Sequence, residues 1–347
     1  MVGLRGVGKT VLLDQMRSDA EASGIHTIRV EAPENRSLPA LLAPALRVAL
    51  LRMSQLETAK ELAQKSLRAL AGFAKALKLK FHDIEVGIDF ASEKGLADNG
   101  DLETDLTALL VEVGKSARVA NTVLVIFIDE LQYVKRAEFA ALISALHRCA
   151  QLKLPLTVVG AGLPQLLSLA GEAKSYAERL FDYPIIDKLD RFAAQDAIRK
   201  PALHLNVEYE DAAVDDIVAN TQGYPYFLQE WGKHAWDFAQ KSPITALDVA
   251  SASKITIAAL DESFFRVRLE RTTASEKRYL RAMAELGPGP HRSGDIAQHM
   301  KKKANSFGPV RSSLISKGIV WSPIHGDTAF TVPLFHEYLL RTVPTGT

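Results

Sequence analysis

The stretch MVGLRGVGKTVLL, residues 1–13, decides how the rest of the sequence is interpreted. Within it, the segment GLRGVGKT (Gly3–Thr10) fits the pattern G-x-x-x-x-G-K-[ST]. In this pattern a glycine-rich turn lets backbone N–H groups at a helix N-terminus surround a phosphate. Glycine allows the close approach and the unusual dihedral angles that such a turn needs. The pattern therefore predicts a phosphate-binding loop that leads into the first helix, although a chance glycine turn before a helix is the alternative.

The residues of this phosphate loop have different predicted contacts. The lysine of the pattern reaches the β- and γ-phosphates of a nucleotide, and the next hydroxyl binds Mg²⁺. We thus expect Thr10 to be a metal ligand as well as part of the nucleotide site. The predicted nucleotide-binding residues of the loop are Gly3, Gly6, Val7, Gly8, Lys9 and Thr10.

A second motif lies in VLVIFIDE (123–130), an apolar run that ends in two acidic residues. A continuous apolar run is typical of a parallel strand buried on both faces of a sheet. Ligands of open α/β sheets bind at the carboxyl ends of such strands. We expect Asp129 to lie beside Mg²⁺ and Glu130 to orient or deprotonate an attacking water. The alternative is that the two acids merely begin a loop.

The pattern of apolar residues predicts three consecutive domains. Strands alternate with helices in the first part, which indicates an α/β fold with a parallel sheet. Strand patterns then give way to helices, and the last part has the order helix, helix, helix, hairpin of a winged helix-turn-helix. The predicted domains are a P-loop domain at 1–192, a helical lid at 193–270 and the winged helix at 271–347. The predicted strands include 25–33, 81–90, 154–162 and a short one within 183–192. Helix caps are predicted at Ser37 and near Ser293.

Composition excludes several classes of protein. Of the 347 residues, 47% are hydrophobic and 24% are charged, as in an ordinary globular chain. The one cysteine, Cys149, excludes an internal disulfide framework. No apolar run approaches the roughly 20 residues that span a bilayer, and the N-terminus does not resemble a signal peptide. We expect a cytoplasmic protein with no membrane partner.

Charge is unevenly distributed along the chain. Residues 271–347 hold 11 Lys and Arg against 5 Asp and Glu, whereas residues 1–270 hold 31 against 36. Such asymmetry indicates an acidic partner for the basic end, and double-stranded DNA is the predicted one, because a winged helix inserts its last helix in the major groove. A solvated basic face, or a winged helix that binds protein, is the alternative. The predicted DNA contacts are Arg292, Lys301, Lys302, Lys303 and Arg311.

Three segments together carry a family resemblance: GLRGVGKT, FIDE and QGYPYFLQ (222–229). They resemble the AAA+ ATPases of the bacterial and archaeal group related to origin-recognition and replication-initiator proteins, with features of STAND signalling ATPases. The resemblance implies ATP and Mg²⁺ as ligands. It also implies that Pro225 lies near the adenine and that Arg179 is an arginine finger acting on a neighbouring subunit, as in a homo-oligomer.

The sequence departs from this family in two places. Gly160, Ala161 and Gly162 occupy the strand end where a polar sensor residue is expected, and no arginine lies beside Tyr226–Gln229. Both departures favour slow, switch-like hydrolysis over a fast motor. A protein that binds ATP and hardly hydrolyses it is a further alternative. We expect a nucleotide-dependent ATPase switch that contacts DNA. The alternative is a STAND-like signalling ATPase whose winged helix contacts a protein partner.

Only Met1 and Val2 precede the phosphate loop. A loop of this kind normally follows a strand, usually of about 5 residues. We therefore expect an N-terminally truncated chain that lacks this strand and binds ATP poorly, the working protein beginning upstream. In the sheet, the missing strand is expected in a central position beside the FIDE strand.

Overall fold

A computed structural model describes residues 1–32, 36–78 and 95–344 of the chain. The strand predicted at 81–90 lies outside these residues. The chain divides into two compact units, one formed by Met1–Gly3 with Lys9–Ile185 and the other by Leu4–Gly8 with Ile186–Thr347.

The first unit is built from strands that alternate with helices. Its elements are α1 (Lys9–Ala22), β1 (His26–Glu31), α2 (Leu38–Ser54), α3 (Lys60–Ala76), α4 (Leu102–Val119), β2 (Leu124–Asp129), α5 (Arg136–Gln151), β3 (Leu156–Gly160), α6 (Leu166–Ala173) and α7 (Ala177–Leu180). A 3₁₀ turn, Leu131–Tyr133, follows β2.

Within the described residues, the strands of this unit form a parallel sheet in the order β1-β2-β3. In register, Glu31 of β1 pairs with Asp129 of β2, and Gly160 of β3 pairs with Ile128 of β2. The carboxyl ends of the strands therefore meet at one edge, where the sequence predicts the nucleotide site. This arrangement confirms the predicted α/β fold class.

The central strand β2 is buried along its whole length. Ile126 and Ile128 pack into a core that also holds residues of α2, α3, α4 and α5. On the opposite face, Val125 and Phe127 pack with Leu13 of α1. Each fully buried aliphatic or aromatic side chain contributes about 1.5–3 kcal/mol of transfer free energy, so β2 is firmly fixed in the sheet.

Val2 lies in the sheet immediately before the phosphate loop. It forms parallel bridges with Gly162 and with Ile185, and its N–H donates to the Pro184 carbonyl at 2.9 Å. Gly162 follows β3 directly, so the position of Val2 is beyond β3 and not beside β2. The expectation that this position adjoins the FIDE strand is therefore wrong, because β3 lies between them. The short strand predicted after residue 183 is reduced to the bridge at Ile185.

The second unit is mainly helical. Its elements are α8 (Arg191–Leu203), α9 (Asp211–Thr221), α10 (Pro225–Phe238), α11 (Ala246–Ala259), a π-helical turn (Leu260–Phe265), α12 (Arg266–Glu270), α13 (Ala274–Glu285), β4 (His291–Arg292), α14 (Ser293–His299), a 3₁₀ turn (Ala304–Phe307), α15 (Gly308–Ser316), β5 (Val320–Trp321), β6 (Asp327–Phe330) and α16 (Phe335–Thr342).

One core joins the helices α8–α12 to the C-terminal elements of this unit. The ring of Phe265 lies 5.6 Å from that of Phe335 and 5.3 Å from that of Tyr338, measured between centroids. The hydroxyl of Tyr224 donates to the Thr331 carbonyl at 3.1 Å. The stretches predicted as a lid and a winged helix thus share a core, and the boundaries at 192 and 270 stay predictions.

The C-terminal elements contain a small antiparallel sheet in the order β4-β6-β5, accompanied by α13, α14 and α15. The final helix α16 was not predicted from the sequence, and its C-terminal carbonyls need partners. Arg281 supplies them by donating to the carbonyls of Leu339, Leu340 and Val343 at 2.7–3.0 Å. This contact between α13 and α16 joins two segments far apart in sequence.

Two expectations about composition can be compared with the structure. Cys149 is fully buried in the core of the first unit, and burial raises the pKa of its thiol to about 11. Such a thiol packs as a small hydrophobe. Among the helices of the described residues, none is both long and apolar enough to cross a bilayer.

A buried carboxylate, Glu276, joins α13 to α15. It is 3% exposed and accepts hydrogen bonds from the Thr273 N–H, the Ser313 hydroxyl and, at 2.7 and 2.9 Å, the Lys317 ammonium. Burial alone would raise the pKa of Glu276, but the bonds from Lys317, Ser313 and Thr273 outweigh it and lower the pKa to about 2. The ionised carboxylate therefore stabilises the folded second unit.

We predict that Glu276→Gln lowers the free energy of unfolding of the second unit by about 2 kcal/mol at pH 7, since it removes the charge from these hydrogen bonds. Because the folded pKa lies below the ordinary value of 4.5, this contribution is complete above pH 4.5 and is lost as the pH falls towards 2. Urea unfolding followed by tryptophan fluorescence at several pH values measures it. Exposed Glu262, which pairs with Arg266, gives the control Glu262→Gln. Equal effects of the two variants at pH 7 would contradict the prediction.

Candidate functional site

The phosphate loop has the backbone form that its glycines predict. Gly6 and Gly8 have φ of 84° and 90°, in the region that disfavours residues with a Cβ. Helix α1 begins at Lys9, so the N–H groups of its first turn are available to an anion. The Lys9 ammonium donates to the Gly3 carbonyl at 2.9 Å, across the loop.

The two predicted metal ligands lie together. The Thr10 hydroxyl donates to Asp129 Oδ2 at 2.6 Å, which joins the first turn of α1 to the end of β2. Asp129 is 4% exposed, and its other oxygen accepts from the Glu130 N–H at 2.8 Å. A hydroxyl and a carboxylate are the oxygen ligands that Mg²⁺ prefers, so the donor set fits this ion.

The predicted base, Glu130, is half-buried directly after β2. Its φ is 55°, a left-handed conformation that is uncommon for a residue with a side chain. This conformation turns the chain from β2 into the 3₁₀ turn at Leu131–Tyr133. One carboxylate oxygen of Glu130 accepts a hydrogen bond from the Gln132 amide.

Sequence reasoning missed Gln132, although it stands only two residues beyond Glu130. Its amide oxygen accepts from the Leu163 N–H at 2.9 Å, so its side chain joins Glu130 to the segment that follows β3. The motif DELQ holds both residues, but the pairing depends on the left-handed turn at Glu130. No local pattern in these four residues predicts that turn, so the sequence alone does not reveal the pairing.

The small residues after β3 are explained by the same turn. A Cβ on Gly160 would lie 2.2 Å from a methyl of Leu131, and one on Gly162 would lie 3.0 Å from the Gln132 amide oxygen. Side chains of the 3₁₀ turn thus fill the space in which the sequence analysis expected a polar sensor residue. Thr157, the one polar side chain of β3, is exposed.

Loop residues Leu4–Gly8 are packed within the second unit. Val7 is 4% exposed in the core of that unit. Its side chain is therefore not available to a nucleotide, and the predicted contact would be made by its backbone. The Tyr226 N–H donates to the Gly6 carbonyl at 3.2 Å. Pro225 lies in the first turn of α10, as its fixed φ favours. Tyr226, which follows Pro225 directly, is therefore in contact with the loop.

A cationic stack lies beside these loop residues. The ring of Tyr226 stacks on Phe264 at 4.7 Å between centroids, and the Arg268 guanidinium lies 3.6 Å from the Phe264 centroid. Burial, and next the positive charge of Arg5, lowers the pKa of Arg268 to about 10. Arg268 therefore remains charged at neutral pH. Sequence reasoning looked for an arginine beside Tyr226–Gln229 and missed Arg268, which only the fold brings there.

Arg179, the predicted arginine finger, lies on the short helix α7 and is exposed. Within the described residues, its side chain makes no hydrogen bond or ion pair. An exposed arginine of this kind is compatible with action on a neighbouring subunit, and its role stays a prediction.

The predicted DNA contacts differ in their surroundings. Arg292 and Lys301–Lys303 are exposed, and Lys302 lies 6.0 Å from the ring of Phe307. Arg311 instead donates to the Thr328 hydroxyl, the Ser322 hydroxyl and the Asp327 carbonyl at 2.7–2.8 Å. Its guanidinium is therefore engaged by the β5–β6 hairpin. Arg292 and the three lysines are therefore the cations of this group most available to a partner.

The predicted cap of α14 is wrong. Ser293 is the first residue of the helix, and its hydroxyl donates to the Gly326 carbonyl at 2.8 Å. The hairpin turn competes successfully for this hydroxyl, and the bond ties α14 to the hairpin. By contrast, the Ser37 hydroxyl caps α2 as expected, accepting from the Ala40 N–H.

Two family models match the chain. Residues 1–159 match the model of the AAA ATPase domain. Residues 262–339 match the model of a domain of unknown function, DUF8462. Among curated proteins, none matches this chain.

Several solved structures are similar to the chain. A Walker-type ATPase of Pyrococcus abyssi is 15% identical, with a TM-score of 0.58, over 98% of this chain and 89% of that chain. The ORC1 protein of Aeropyrum pernix, solved in complex with DNA, is 16% identical over 99% and 86% of the two chains, with a TM-score of 0.46. The RuvB Holliday junction branch migration motor of Thermotoga maritima is 18% identical over 99% and 96%, with a TM-score of 0.37. The first similarity confirms the fold.

The turn before α10 can be tested through Gly223. A Cβ there would lie 2.4 Å from the Leu189 carbonyl oxygen, and its φ is 76°. We predict that Gly223→Ala lowers the free energy of unfolding of the second unit by about 3 kcal/mol or more and weakens ATP binding, because Tyr226 holds the loop. Urea unfolding followed by tryptophan fluorescence measures the first effect.

The matched control is Gly326→Ala in the same unit. Gly326 has φ of 90°, and a Cβ there would meet nothing within 4 Å. Backbone strain alone then costs about 1 kcal/mol. If both variants lost the same stability, the clash with Leu189 would have no role.

Proposed function

Because residues 1–159 belong to the AAA ATPase domain family, we propose that this chain is a nucleotide-dependent ATPase switch that contacts double-stranded DNA through its C-terminal segment. The observation that carries the ATPase part is the hydrogen bond between Thr10 and Asp129, with Glu130 next in the chain. It brings a hydroxyl, a metal-binding carboxylate and a second carboxylate to the start of α1.

The proposed reaction converts ATP and water to ADP and phosphate. Backbone N–H groups of the phosphate loop and the Lys9 ammonium hold the β- and γ-phosphates. Thr10 and Asp129 would hold Mg²⁺, which neutralises charge on the phosphates. Glu130 orients the attacking water and accepts its proton as the new oxygen–phosphorus bond forms and the bond to ADP breaks.

Slow turnover is the proposed regime. The segment after β3 offers Gly160, Ala161 and Gly162 and therefore no side-chain donor to the γ-phosphate at these positions. Arg268, held over Phe264 next to Tyr226, would instead add positive charge beside the loop. In an assembly, Arg179 of a neighbouring copy would add transition-state stabilisation, so turnover would rise with protein concentration.

We predict that Glu130→Gln lowers the kcat of ATP hydrolysis by about 100-fold or more, since a general base contributes about 10²–10⁴-fold. The amide keeps the size of the side chain, so ATP should bind as before. Turnover is measured by phosphate release, and binding by titration calorimetry.

The exposed Glu178 of α7 provides the control variant Glu178→Gln, which should hydrolyse ATP like the natural chain. Unchanged turnover in Glu130→Gln would remove Glu130 as the base. Absence of ATP binding by the natural chain would overturn the ATPase proposal itself.

The DNA part of the proposal rests on the C-terminal elements. The order of helices α13–α15 and the pairing of the sheet β4-β6-β5 support a winged helix, in which β5–β6 would be the wing. Exposed Lys301–Lys303 lie between α14 and α15, the pair that would form the helix-turn-helix. Phosphate contacts from such lysines are independent of DNA sequence.

We predict that replacing Lys301, Lys302 and Lys303 together by alanine weakens binding to double-stranded DNA and reduces the slope of log K against log salt concentration by about 3, at about 0.9 per phosphate contact. Fluorescence anisotropy over a salt series measures both quantities. Exposed Lys233, Lys241 and Lys254 give a control variant with the same change of charge.

A second candidate function is favoured by one observation. The hairpin engages the guanidinium of Arg311, as expected if this helix and wing pack for a protein partner and not for a DNA groove. In that case the chain is a STAND-like signalling ATPase. No binding of DNA even at low ionic strength would contradict the first candidate and favour this one.

A further inference from the structure

Both polar atoms of the Gln132 side-chain amide form hydrogen bonds within the first unit. The Leu163 N–H donates to its amide oxygen at 2.9 Å, and its amide nitrogen donates to Glu130 Oε2. A backbone N–H can only donate, so it must face the oxygen of the amide. This contact fixes the orientation of the amide and leaves its N–H groups facing the carboxylate.

The backbone around Gln132 is fixed by neighbouring contacts. The Leu131 N–H donates to the Ala161 carbonyl at 3.0 Å, and the Ala161 N–H donates to the Ile128 carbonyl at 2.9 Å. The chain is therefore hydrogen-bonded to Ala161 both before Glu130, at Ile128, and after it, at Leu131. The Gln132 side chain crosses the same gap, and Gly162 leaves it room by lacking a Cβ.

These contacts place one amide between the proposed base and the chain position where a polar sensor residue was expected. Gly160 and Gly162 of that segment have no side chain, so neither can form a hydrogen bond with Glu130 through one. The Gln132 amide reaches it from the opposite direction and bonds the backbone of the segment at Leu163. The polar contact is therefore supplied by the turn after β2, and β3 supplies a backbone donor.

We propose that Gln132 is a positioning residue that orients the Glu130 carboxylate and links it to the segment after β3. This inference rests on the proposed ATPase function. Gln132 acts through Glu130, and its donor holds one carboxylate oxygen so that the other is directed to the water. A movement of the Leu163 backbone shifts the amide and with it the base.

Two substitutions separate this role from a structural one. Gln132→Glu keeps an oxygen that accepts from Leu163 but replaces the donor with a second carboxylate facing Glu130. Gln132→Met keeps the length of the side chain and loses both hydrogen bonds. We predict that both variants lower kcat about 10–100-fold, as misplacement of a reacting group does, while KM for ATP and the ATP affinity stay unchanged. Gln151→Glu, at the exposed end of α5, is the control and should leave kcat unaltered.

A double-mutant cycle gives the decisive comparison. If Gln132 acts only through Glu130, its substitutions have no further effect on kcat in the Glu130→Gln background. A purely structural residue would lower kcat by the same factor in both backgrounds. Steady-state phosphate release measures all four corners of the cycle.

The outcomes also separate this inference from the proposed function. A natural chain that hydrolyses ATP, together with a strongly reduced kcat in Glu130→Gln, sustains the proposed ATPase. Full activity of the Gln132 variants, or additive losses in the cycle, would then overturn the role of Gln132 alone. A natural chain that binds no ATP overturns the proposed function, and the role of Gln132 with it.

Discussion

The burial of β2 on both faces is the constraint on which the first unit depends. A shift of this strand by one residue would move every side chain to the opposite face, so its register is firmly set. Its last residue, Asp129, is consequently a carboxylate at the edge of an apolar core. Such a group needs partners, and the Thr10 hydroxyl and the Glu130 N–H provide them. The proposed metal-binding pair is thus a consequence of how the strand ends.

The second unit depends on a different constraint, the packing of aromatic rings around Phe265. Rings from the helical part and from α16 meet there, and the π-helical turn Leu260–Phe265 places Phe264 and Phe265 in the same core. Phe264 also stacks with Tyr226, whose N–H holds Gly6 of the phosphate loop. Contacts of this unit therefore extend from the C-terminal helix to the loop glycines. One connected set of contacts within this unit thus links loop residue Gly6 to the packing at the C-terminus.

Sequence reasoning predicted those parts of the candidate site whose residues are adjacent in the sequence. The phosphate loop and the apolar strand ending in Asp129 and Glu130 are local patterns, and the family match to residues 1–159 confirms the AAA+ resemblance. It missed Gln132, because a left-handed residue reverses the chain and no local pattern announces that. It missed Arg268, because stacking on Phe264 joins residues by tertiary packing. It misjudged Ser293, because the hairpin offered its hydroxyl a partner from a distant segment.

The crowding around Gly162 has a consequence for relatives of this chain. The Gln132 amide oxygen occupies the space that a side chain at 162 would need, so the two positions cannot be enlarged independently. A homologue with serine, threonine or asparagine at 162 is expected to carry a smaller residue at 132, and one with glutamine at 132 is expected to keep glycine at 162. An alignment would then show these positions as a covarying pair. In either arrangement, one polar side chain, at position 132 or at position 162, supplies a hydrogen bond beside the strand ends.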